Sequence, residues 1–397
     1  MRVIVAGHIC LDIIPQIAAA DQDNFFARLQ PGHLIEVGAA AMSTGGPVSN
    51  TGLALHKLGI PTHLMGKVGA DRFGVIVRDI VSEIAPELAQ GMIIDPASNT
   101  SYSLIISPPG TDRIFLHSPG ANHTFCADDV DYSEVAKADL FHFGYPPLMQ
   151  RMYENNGTEL VEIFKRVKTL GVLTSLDMAF PDPASPAGKV DWRVIFQAVL
   201  PHVDIFLPSI EELLLCLNRP LYDQLEGQDG KLLERVTPEL LSALSSELLE
   251  MGVKIVVLKL GERGLYLRTA SENVLSQCGH GVDPAAWSCR EIWSPCFYVQ
   301  VVGTTGSGDA TIAGFLGSLL RGLAPSQAMT MAVAVGACNV EAADALSGIR
   351  SWNETQKRLQ AGWTRRQLTL NNTRWNWDPE TQLYYGPGMF ADVSEKT

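Results

Sequence analysis

The segment GTTGSGDATIAGFL at residues 303–316 combines the small residues of an anion site with one carboxylate. Gly306 and Gly308 are expected to form a turn into a helix start, where backbone N–H groups and the helix dipole favour an anion. Small residues there allow a phosphate to approach the backbone closely. The helix is predicted from an apolar face that begins just after Asp309 and contains Ile312, Ala313, Leu316, Leu319 and Leu320.

The carboxylate of Asp309 needs its own explanation, because a negative charge repels phosphate. A Walker A loop would place a lysine directly after the last glycine, and none follows Gly308. An acid that accepts a proton from an attacking hydroxyl would account for the position, and such general-base help is worth about 10²–10⁴ in rate. The alternative is a simple helix cap, which Asp often provides. The glycines that precede Asp309 favour the catalytic interpretation.

Composition restricts the classes of function. The chain has 397 residues, 46% of them hydrophobic, which suits one large α/β domain with an appendage or two ordinary domains. Its formal charge of −13 argues against nucleic-acid binding. The amino terminus lacks the features of a signal peptide, and the most apolar later segment, 329–340, is too short to cross a bilayer. We therefore expect a cytoplasmic protein with no membrane partner.

The seven cysteines do not suggest a disulfide framework, since their number is odd and they are scattered. A reducing compartment fits this usage better. Cys278, His280, Cys289 and Cys296 cluster in sequence but contain no C-x₂-C pair. We interpret this segment as a surface insertion rather than a zinc site.

Short apolar runs alternate with helical periodicity along most of the chain. This alternation predicts a parallel sheet with helices on both faces, and ligands bind beyond the carboxyl ends of such strands. Helices are predicted over 49–59 and 72–84. Strands are predicted at Val3–Ala6, Leu64–Val68, Leu140–Phe143, Leu173–Asp177, Ile205–Leu207 and Lys254–Lys259.

Two segments, 33–46 and 100–122, lack helical periodicity. The second predicts a hairpin, with one strand through Ile106, a Pro-Pro-Gly turn and a second strand through Leu116. The two segments could form a small sheet that covers the crevice as a lid, or ordinary edge strands of the main sheet. The tail after residue 351 is aromatic and proline-rich without a clear element, and its apolar side chains predict docking on the main body or on a partner.

G-T-T-G-S-G-D at 303–309 resembles the second signature of the ribokinase-like (PfkB) carbohydrate kinases, commonly D-T-x-G-A-G-D. The resemblance implies that Gly306, Ser307 and Gly308 form an anion hole with Asp309 as catalytic base. It also places Thr304 beside the nucleotide. The family's usual first Asp is replaced by Gly303, so a monovalent-cation site beside this loop stays an open question.

The segment STGGPVSNTGLALHKLG at 43–59 resembles the family's first signature, G-G-x-x-x-N-x-A-x-x-x-x-x-L-G. The resemblance implies sugar binding by Gly45, Gly46 and Asn50. An Asn side chain can donate to and accept from a sugar diol, although Asn here could equally cap a helix. GHICLD resembles the family's opening and implies that Asp12 accepts hydrogen bonds from sugar hydroxyls.

Weaker resemblances concern the nucleotide and the metal. VVLKLGERGLYL at 256–267 predicts strand, glycine turn and strand, and resembles the family's K-x-G-x-x-G segment beside the nucleotide through Lys259, Gly261 and Gly264. Asn339 lies where the family contacts adenine. Glu212 matches a residue that helps to organise magnesium, but Ser209 and Glu212 also form a capping-box pattern, S-x-x-E.

The resemblance as a whole implies a ribokinase-like α/β fold, with a mostly parallel sheet, helices on both faces and a small β-sheet lid. We expect a kinase domain over 1–350, with lid segments near 13–45 and 98–122, and an extension of unknown role over 351–397. The implied function is ATP- and Mg²⁺-dependent phosphorylation of a sugar, whose identity would depend on lid residues such as Tyr102, Arg113 and His117. A nucleoside kinase and a regulator that has lost catalysis remain alternatives. A homodimer through the lid is a further expectation.

Overall fold

The computed structural model describes residues 1–17, 25–108, 114–279, 281–370 and 374–387, with Phe26 described by its backbone alone. Fifteen strands are assigned within these ranges, and each has two to eight residues. They are β1 Val3–Gly7, β2 Cys10–Pro15, β3 Ala40–Gly45, β4 Thr62–Gly69, β5 Ile93–Asp95, β6 Tyr102–Ile106, β7 Ile114–Ser118, β8 Leu140–Gly144, β9 Leu173–Leu176, β10 Ile205–Phe206, β11 Ile255–Lys259, β12 Leu265–Thr269, β13 Glu291–Ser294, β14 Asn376–Asp378 and β15 Leu383–Tyr385.

Eleven of these strands form one sheet in the order β14-β15-β13-β12-β11-β10-β9-β8-β1-β4-β5. The pairs from β5 to β11 are parallel, whereas those from β11 to β14 are antiparallel. The six strands predicted from the sequence make up the parallel part except for β5, and their ends differ from the predicted ones by at most two residues. The mostly parallel sheet is therefore confirmed.

Sixteen α-helices are assigned in the same described ranges. They are α1 Phe25–Arg28, α2 Pro47–Lys57, α3 Arg72–Ile84, α4 Tyr132–Val135, α5 Gln150–Tyr153, α6 Thr158–Thr169, α7 Trp192–Val199, α8 Ile210–Leu217, α9 Arg219–Glu226, α10 Leu232–Arg235, α11 Pro238–Glu250, α12 Glu272–Leu275, α13 Pro284–Trp287, α14 Ser307–Leu320, α15 Pro325–Asn339 and α16 Trp352–Gln360.

The longer helices cover the two faces of the large sheet. Alternate residues of β1 separate into two cores: Val3 and Val5 pack in the first, and Ile4 and Ala6 pack in the second. The first core receives side chains from α2, α3, α14 and α15. The second receives side chains from α6, α7, α8 and α11. A strand buried on both faces explains the continuous apolar run at the amino terminus.

A second sheet contains four strands in the order β3-β2-β6-β7. Three of its strands, β3, β6 and β7, come from the two segments that lack helical periodicity, and β2 follows β1 after two residues. The two segments therefore form a separate small sheet rather than edge strands of the large one. We call this sheet the lid. The hairpin of β6 and β7 is confirmed, while two residues of its expected Pro-Pro-Gly turn, together with Arg113, fall outside the described residues.

The tail docks on the main body. After α16, the strands β14 and β15 extend the large sheet through pairing of β15 with β13. Trp375 packs against Tyr266 and Trp293, whose rings lie 6.1 and 6.2 Å from its own. The tail thus contains regular elements that its sequence did not reveal, because a three-residue strand leaves almost no periodic signal.

The segment interpreted as a surface insertion is only partly one. Its strand β13 is buried throughout and lies between β12 and β15 in the large sheet. Cys289 is exposed, and His280 falls outside the described residues. No helix in the described part of the chain is long and apolar enough to span a membrane.

Candidate active site

The carboxyl ends of the central parallel strands bring together residues that are far apart in sequence. Tyr145 directly follows β8. Asp177 directly follows β9, and Lys259 ends β11. The start of α14 adds Asp309 to the same edge, where α/β sheets usually bind ligands.

Asp309 is 3% exposed and holds three hydrogen bonds. Its Oδ2 accepts from Asn50 Nδ2 at 3.0 Å and from the Tyr145 hydroxyl at 3.0 Å. Its Oδ1 accepts from Thr51 Oγ1 at 3.1 Å. Burial raises the pKa of this carboxyl, and the hydrogen bonds and the charge of Lys259 offset the rise only in part. A carboxylate with a raised pKa is a stronger base than an exposed one.

The glycine turn that precedes Asp309 has the geometry expected from the sequence. Gly306 has a φ of 68° and is the N-cap residue of α14, whose first residue is Ser307. A Cβ on Gly306 would lie 2.6 Å from the Cβ of Ala345, so a larger residue would be strained and crowded. A Cβ on Gly308 would lie 3.6 Å from Lys259 Cδ, so the lysine side chain runs beside this helix start. Backbone N–H groups in a first turn have no intrahelical acceptor and suit an anion.

Lys259 is the cation of a buried acidic cluster. Its Nζ donates to Asp177 Oδ1 at 2.6 Å. Burial alone would lower the pKa of Lys259, but the carboxylates of Asp177, Glu212 and Asp309 raise it. Burial and the neighbouring acids raise the pKa of Asp177, and the attraction of Lys259 offsets the rise only in part. Three carboxyl groups therefore surround one ammonium group, and their combined charge favours binding of a further cation.

One atom of this cluster has no partner among the described residues: Asp177 Oδ2 is buried without a hydrogen bond. Carboxylate oxygens are the ligands that Mg²⁺ prefers. The orphaned oxygen and the excess of acids fit a magnesium ion that is bound together with phosphate. Glu212 also forms the capping box with Ser209, since its Oε2 accepts from the Ser209 N–H at 2.6 Å. Burial raises the pKa of Glu212 as well.

A cavity of about 280 Å³ lies beside the cluster. The predicted nucleotide residues Lys259, Gly261, Gly264 and Thr304 line it, as do Ser307 and Gly308 of the anion turn. Apolar side chains also line it, among them those of Val299, Val301, Val333, Ala337 and Val340. A lining that combines phosphate-binding groups with apolar side chains suits a nucleotide, which has a charged and an apolar part.

Two positions that the family resemblance singled out, Asn339 and Gly303, do not line this cavity. Asn339 does not line the cavity as the structure describes it; its Nδ2 donates to the Ala345 carbonyl at 2.7 Å. A Cβ on Gly303 would lie 2.9 Å from the Ala343 carbonyl oxygen, so this backbone has no room for the family's usual Asp. The chain therefore lacks the acid that the family's usual pattern places at this position.

The predicted sugar residues meet where the lid joins α2. Asp12 on β2 is 9% exposed, and a Cβ on Gly45 would lie 2.4 Å from its Oδ2. Gly46 has a φ of 88° and is the N-cap residue of α2, the helix that supplies Asn50. Because Asn50 contacts Asp309, one continuous series of contacts leads from Asp12 to the candidate base.

Several site residues were not found by sequence reasoning. Asp177 was assigned only to the end of a strand, although an acid at the carboxyl end of a buried strand is a usable signal. Tyr145 has a φ of 63°, which is a strained backbone conformation for a residue other than glycine, and no local sequence pattern predicts it. Thr51 follows Asn50 inside a recognised motif. His8 directly follows β1, and its Nε2 lies 3.4 Å from Nε2 of His117 on the lid.

Comparison with known proteins gives the family. Residues 3–352 match the model of the pfkB family carbohydrate kinases. The chain belongs to this family. An uncharacterised sugar kinase from Archaeoglobus fulgidus is 26% identical over 271 residues, which is 68% of this chain and 87% of that protein.

Two solved structures share the fold. Arabidopsis thaliana ribokinase in complex with ribose and ATP is 20% identical, with a TM-score of 0.65, and the alignment covers 90% of this chain and 98% of that one. A putative ribokinase II from E. coli with ATP and Mg²⁺ is 20% identical, with a TM-score of 0.64, over 91% and 99% of the two chains. At this identity the likeness shows the ribokinase-like fold alone. With the family match, the pfkB protein described here is a phosphotransferase of the sugar and nucleoside kinase type.

Proposed function

We propose that this pfkB protein transfers the γ-phosphate of ATP to a sugar hydroxyl, with Asp309 as general base. One observation carries the proposal: Asp309 is a buried acid with a raised pKa at the start of the helix whose glycine turn lines the cavity. The carboxylate accepts the proton of the attacking hydroxyl, and the backbone N–H groups of the turn bind the phosphate. This division of roles explains why an acid lies beside an anion site.

The hydrogen bonds around Asp309 support its role. Asn50, Thr51 and Tyr145 donate to its two oxygens, so the carboxylate has a defined orientation before a substrate arrives. A base held in one orientation loses little entropy when it accepts a proton. The proton of the acceptor hydroxyl would pass to a carboxylate oxygen of Asp309 as the hydroxyl oxygen attacks phosphorus.

The sugar is proposed to bind between the lid and α2. Asp12 is an acceptor for its hydroxyls, and the backbone at Gly45 and Gly46 allows close approach. The A. fulgidus relative is named a sugar kinase and the Arabidopsis ribokinase holds ribose, which supports a sugar as the acceptor here. A lid that closes over the sugar would exclude water and limit wasteful hydrolysis of ATP.

ATP is proposed to occupy the cavity beside Lys259, with its phosphates toward the glycine turn. Asp177 and Glu212 would hold Mg²⁺ directly or through water, and the ion would neutralise charge on the transferring phosphate. Lys259 remains paired with Asp177 and balances the acids when no ion is present. The E. coli structure in complex with ATP and Mg²⁺ supports ATP as the nucleotide and Mg²⁺ as the metal ion here.

The proposal is tested with Asp309→Asn, which keeps the size of the side chain but removes its basicity. We expect kcat to fall by about 10²–10⁴ while KM for sugar and ATP changes little. Asp191→Asn is the matched control, because Asp191 caps α7 and Asn caps a helix equally well. ATP consumption and product identity would be measured with pentoses, hexoses, keto-deoxy sugar acids and nucleosides.

The substrate panel also separates the alternatives. Phosphorylation of nucleosides alone would replace the sugar kinase with a nucleoside kinase of the same fold. Binding of a sugar without any product at saturating Mg²⁺ would indicate a regulator that has lost catalysis. A kcat for Asp309→Asn within tenfold of the wild-type value would remove Asp309 from its proposed role.

A further inference from the structure

A compact group of metal-ligand atoms contains none of the residues of the acidic cluster. His8, Cys10 and His117 each place one ligand atom so that all three lie within 4.8 Å of one another. Within the described ranges, this is the one such group of His, Cys, Asp and Glu that is compact enough for an ion. His8 is 2% exposed and Cys10 is 3% exposed, whereas His117 is the most exposed of the three.

We propose that His8, Cys10 and His117 form a binding site for Zn²⁺. Two imidazole nitrogens and one thiolate are ligands that zinc prefers and that Mg²⁺ does not. In a tetrahedral site with Zn–N distances of about 2.0–2.1 Å, two nitrogen ligands are roughly 3.3 Å apart. The Nε2 atoms of His8 and His117 are 3.4 Å apart. Their separation therefore already matches that of two zinc ligands.

The lid positions two of these ligands, Cys10 and His117. Asp12 on β2 pairs with Ser103 on β6, which pairs with His117 on β7, so the three residues form one row across the lid. Cys10 lies two residues before Asp12 and so faces the same side of β2. Ser103 Oγ lies 3.0 Å from His117 Nδ1, and this contact orients the ring with Nε2 directed at His8. A second ring nitrogen held in this way is typical of zinc-binding histidines.

The zinc would tie the lid to the end of β1. His8 directly follows β1, whereas His117 lies on the edge strand of the lid, 109 residues away in sequence. Binding would release the Cys10 thiol proton to solvent and leave the fourth coordination position open to water. Cys10 Sγ lies 3.3 Å from Asp12 Oδ1, so an ion at Cys10 adjoins the proposed sugar contact. We therefore expect zinc and sugar to compete; this part of the inference rests on the proposed function, but metal binding itself does not.

Metal binding is measured on the full-length protein after treatment with a chelator. Titration with Co²⁺ is expected to saturate at one ion per chain, with a thiolate-to-cobalt charge-transfer band in the near ultraviolet. Cys10→Ser should abolish this band. Cys289→Ser is the matched control, because Cys289 is exposed and lies outside the group. A Cys10→Ser protein that keeps the band, or a wild-type protein that never shows it, would overturn the site.

Zinc affinity provides an independent measurement through competition with a chromophoric chelator. His117→Gln retains a polar side chain of similar size on the edge strand of the lid, so the fold should tolerate it. We expect the zinc affinity of this variant to fall at least 10- to 100-fold. An unchanged affinity would exclude His117 as a ligand and refute the site.

Kinase assays then test the competition alone. Zn²⁺ should raise the apparent KM for the sugar without changing the limiting kcat. In Cys10→Ser, Zn²⁺ should no longer raise this KM above the value that the variant has without Zn²⁺. Inhibition that extra sugar cannot relieve would contradict the competition. If no sugar is phosphorylated, the proposed function fails, while the Co²⁺ and Zn²⁺ titrations still decide the metal site.

Discussion

The hydrogen bond from Tyr145 to Asp309 makes the pH dependence of the reaction predictable. Replacing Tyr145 with Phe removes a 3.0 Å bond to Oδ2 and leaves the bonds from Asn50 and Thr51 in place. That bond stabilises the ionised form of the carboxyl, so its loss raises the pKa of Asp309 further.

The size of the effect follows from the charge on the acceptor. A hydrogen bond to a charged group is worth about 1.5–3 kcal/mol, and one pKa unit corresponds to about 1.36 kcal/mol. Full loss would raise the pKa by about 1–2 units. Because Asn50 still donates to the same oxygen, we expect a rise of about one unit.

The sign of the pH effect follows from the role of a base. Asp309 acts only when it is deprotonated, so activity falls as pH decreases through its pKa. In Tyr145→Phe the acid limb of kcat/KM should therefore move to higher pH by about one unit. Activity on the high-pH plateau should change much less, because the base is ionised there in both proteins.

The assay is initial-rate kinetics from pH 5 to 9 at saturating ATP. Tyr266→Phe is the control, since its hydroxyl donates to the carboxylate of Glu291 in the core, away from the cavity. An acid limb that does not move in Tyr145→Phe, or that moves equally in Tyr266→Phe, would refute the reasoning.

Three further substitutions test other parts of the site. Gly45→Ala would place a Cβ 2.4 Å from Asp12 Oδ2. Overpacking of this kind typically costs about 1–3 kcal/mol, so KM for the sugar should rise about tenfold. An unchanged KM would contradict the sugar contact. Lys259→Met removes the cation from its buried pair with Asp177 and should lower the free energy of unfolding, measured with urea at pH 7, by about 3–5 kcal/mol. Adding Asp177→Asn should recover part of this stability. A double variant with no recovery would argue against the pair. Arg366 lines the cavity from the tail, so Arg366→Ala should raise KM for ATP several-fold but leave KM for the sugar unchanged, whereas an equal rise in both would contradict its place beside the nucleotide.

Much of the fold was predictable because its signals are local. Buried strands appear as short apolar runs, and helices appear as apolar faces with a period of 3.6 residues. The glycine turn before Asp309 is equally local, since the positive φ of Gly306 suits glycine and the helix begins one residue later. The sequence alone thus determined the central strands, the hairpin and the candidate base at a helix start.

Only the tertiary structure decided which side chains meet. Lys259 and Asp177 are 82 residues apart, and Tyr145 and Asp309 are 164 apart, yet each pair is hydrogen-bonded. These contacts depend on the order of strands in the sheet and on the packing of α2 against α14, and no local pattern encodes either. The same reason hid the pairing of His8 with a lid strand and the addition of the tail to the sheet edge. Helices, strands and turns follow from interactions between residues close in sequence. Contacts between side chains that are distant in sequence follow from the topology of the fold.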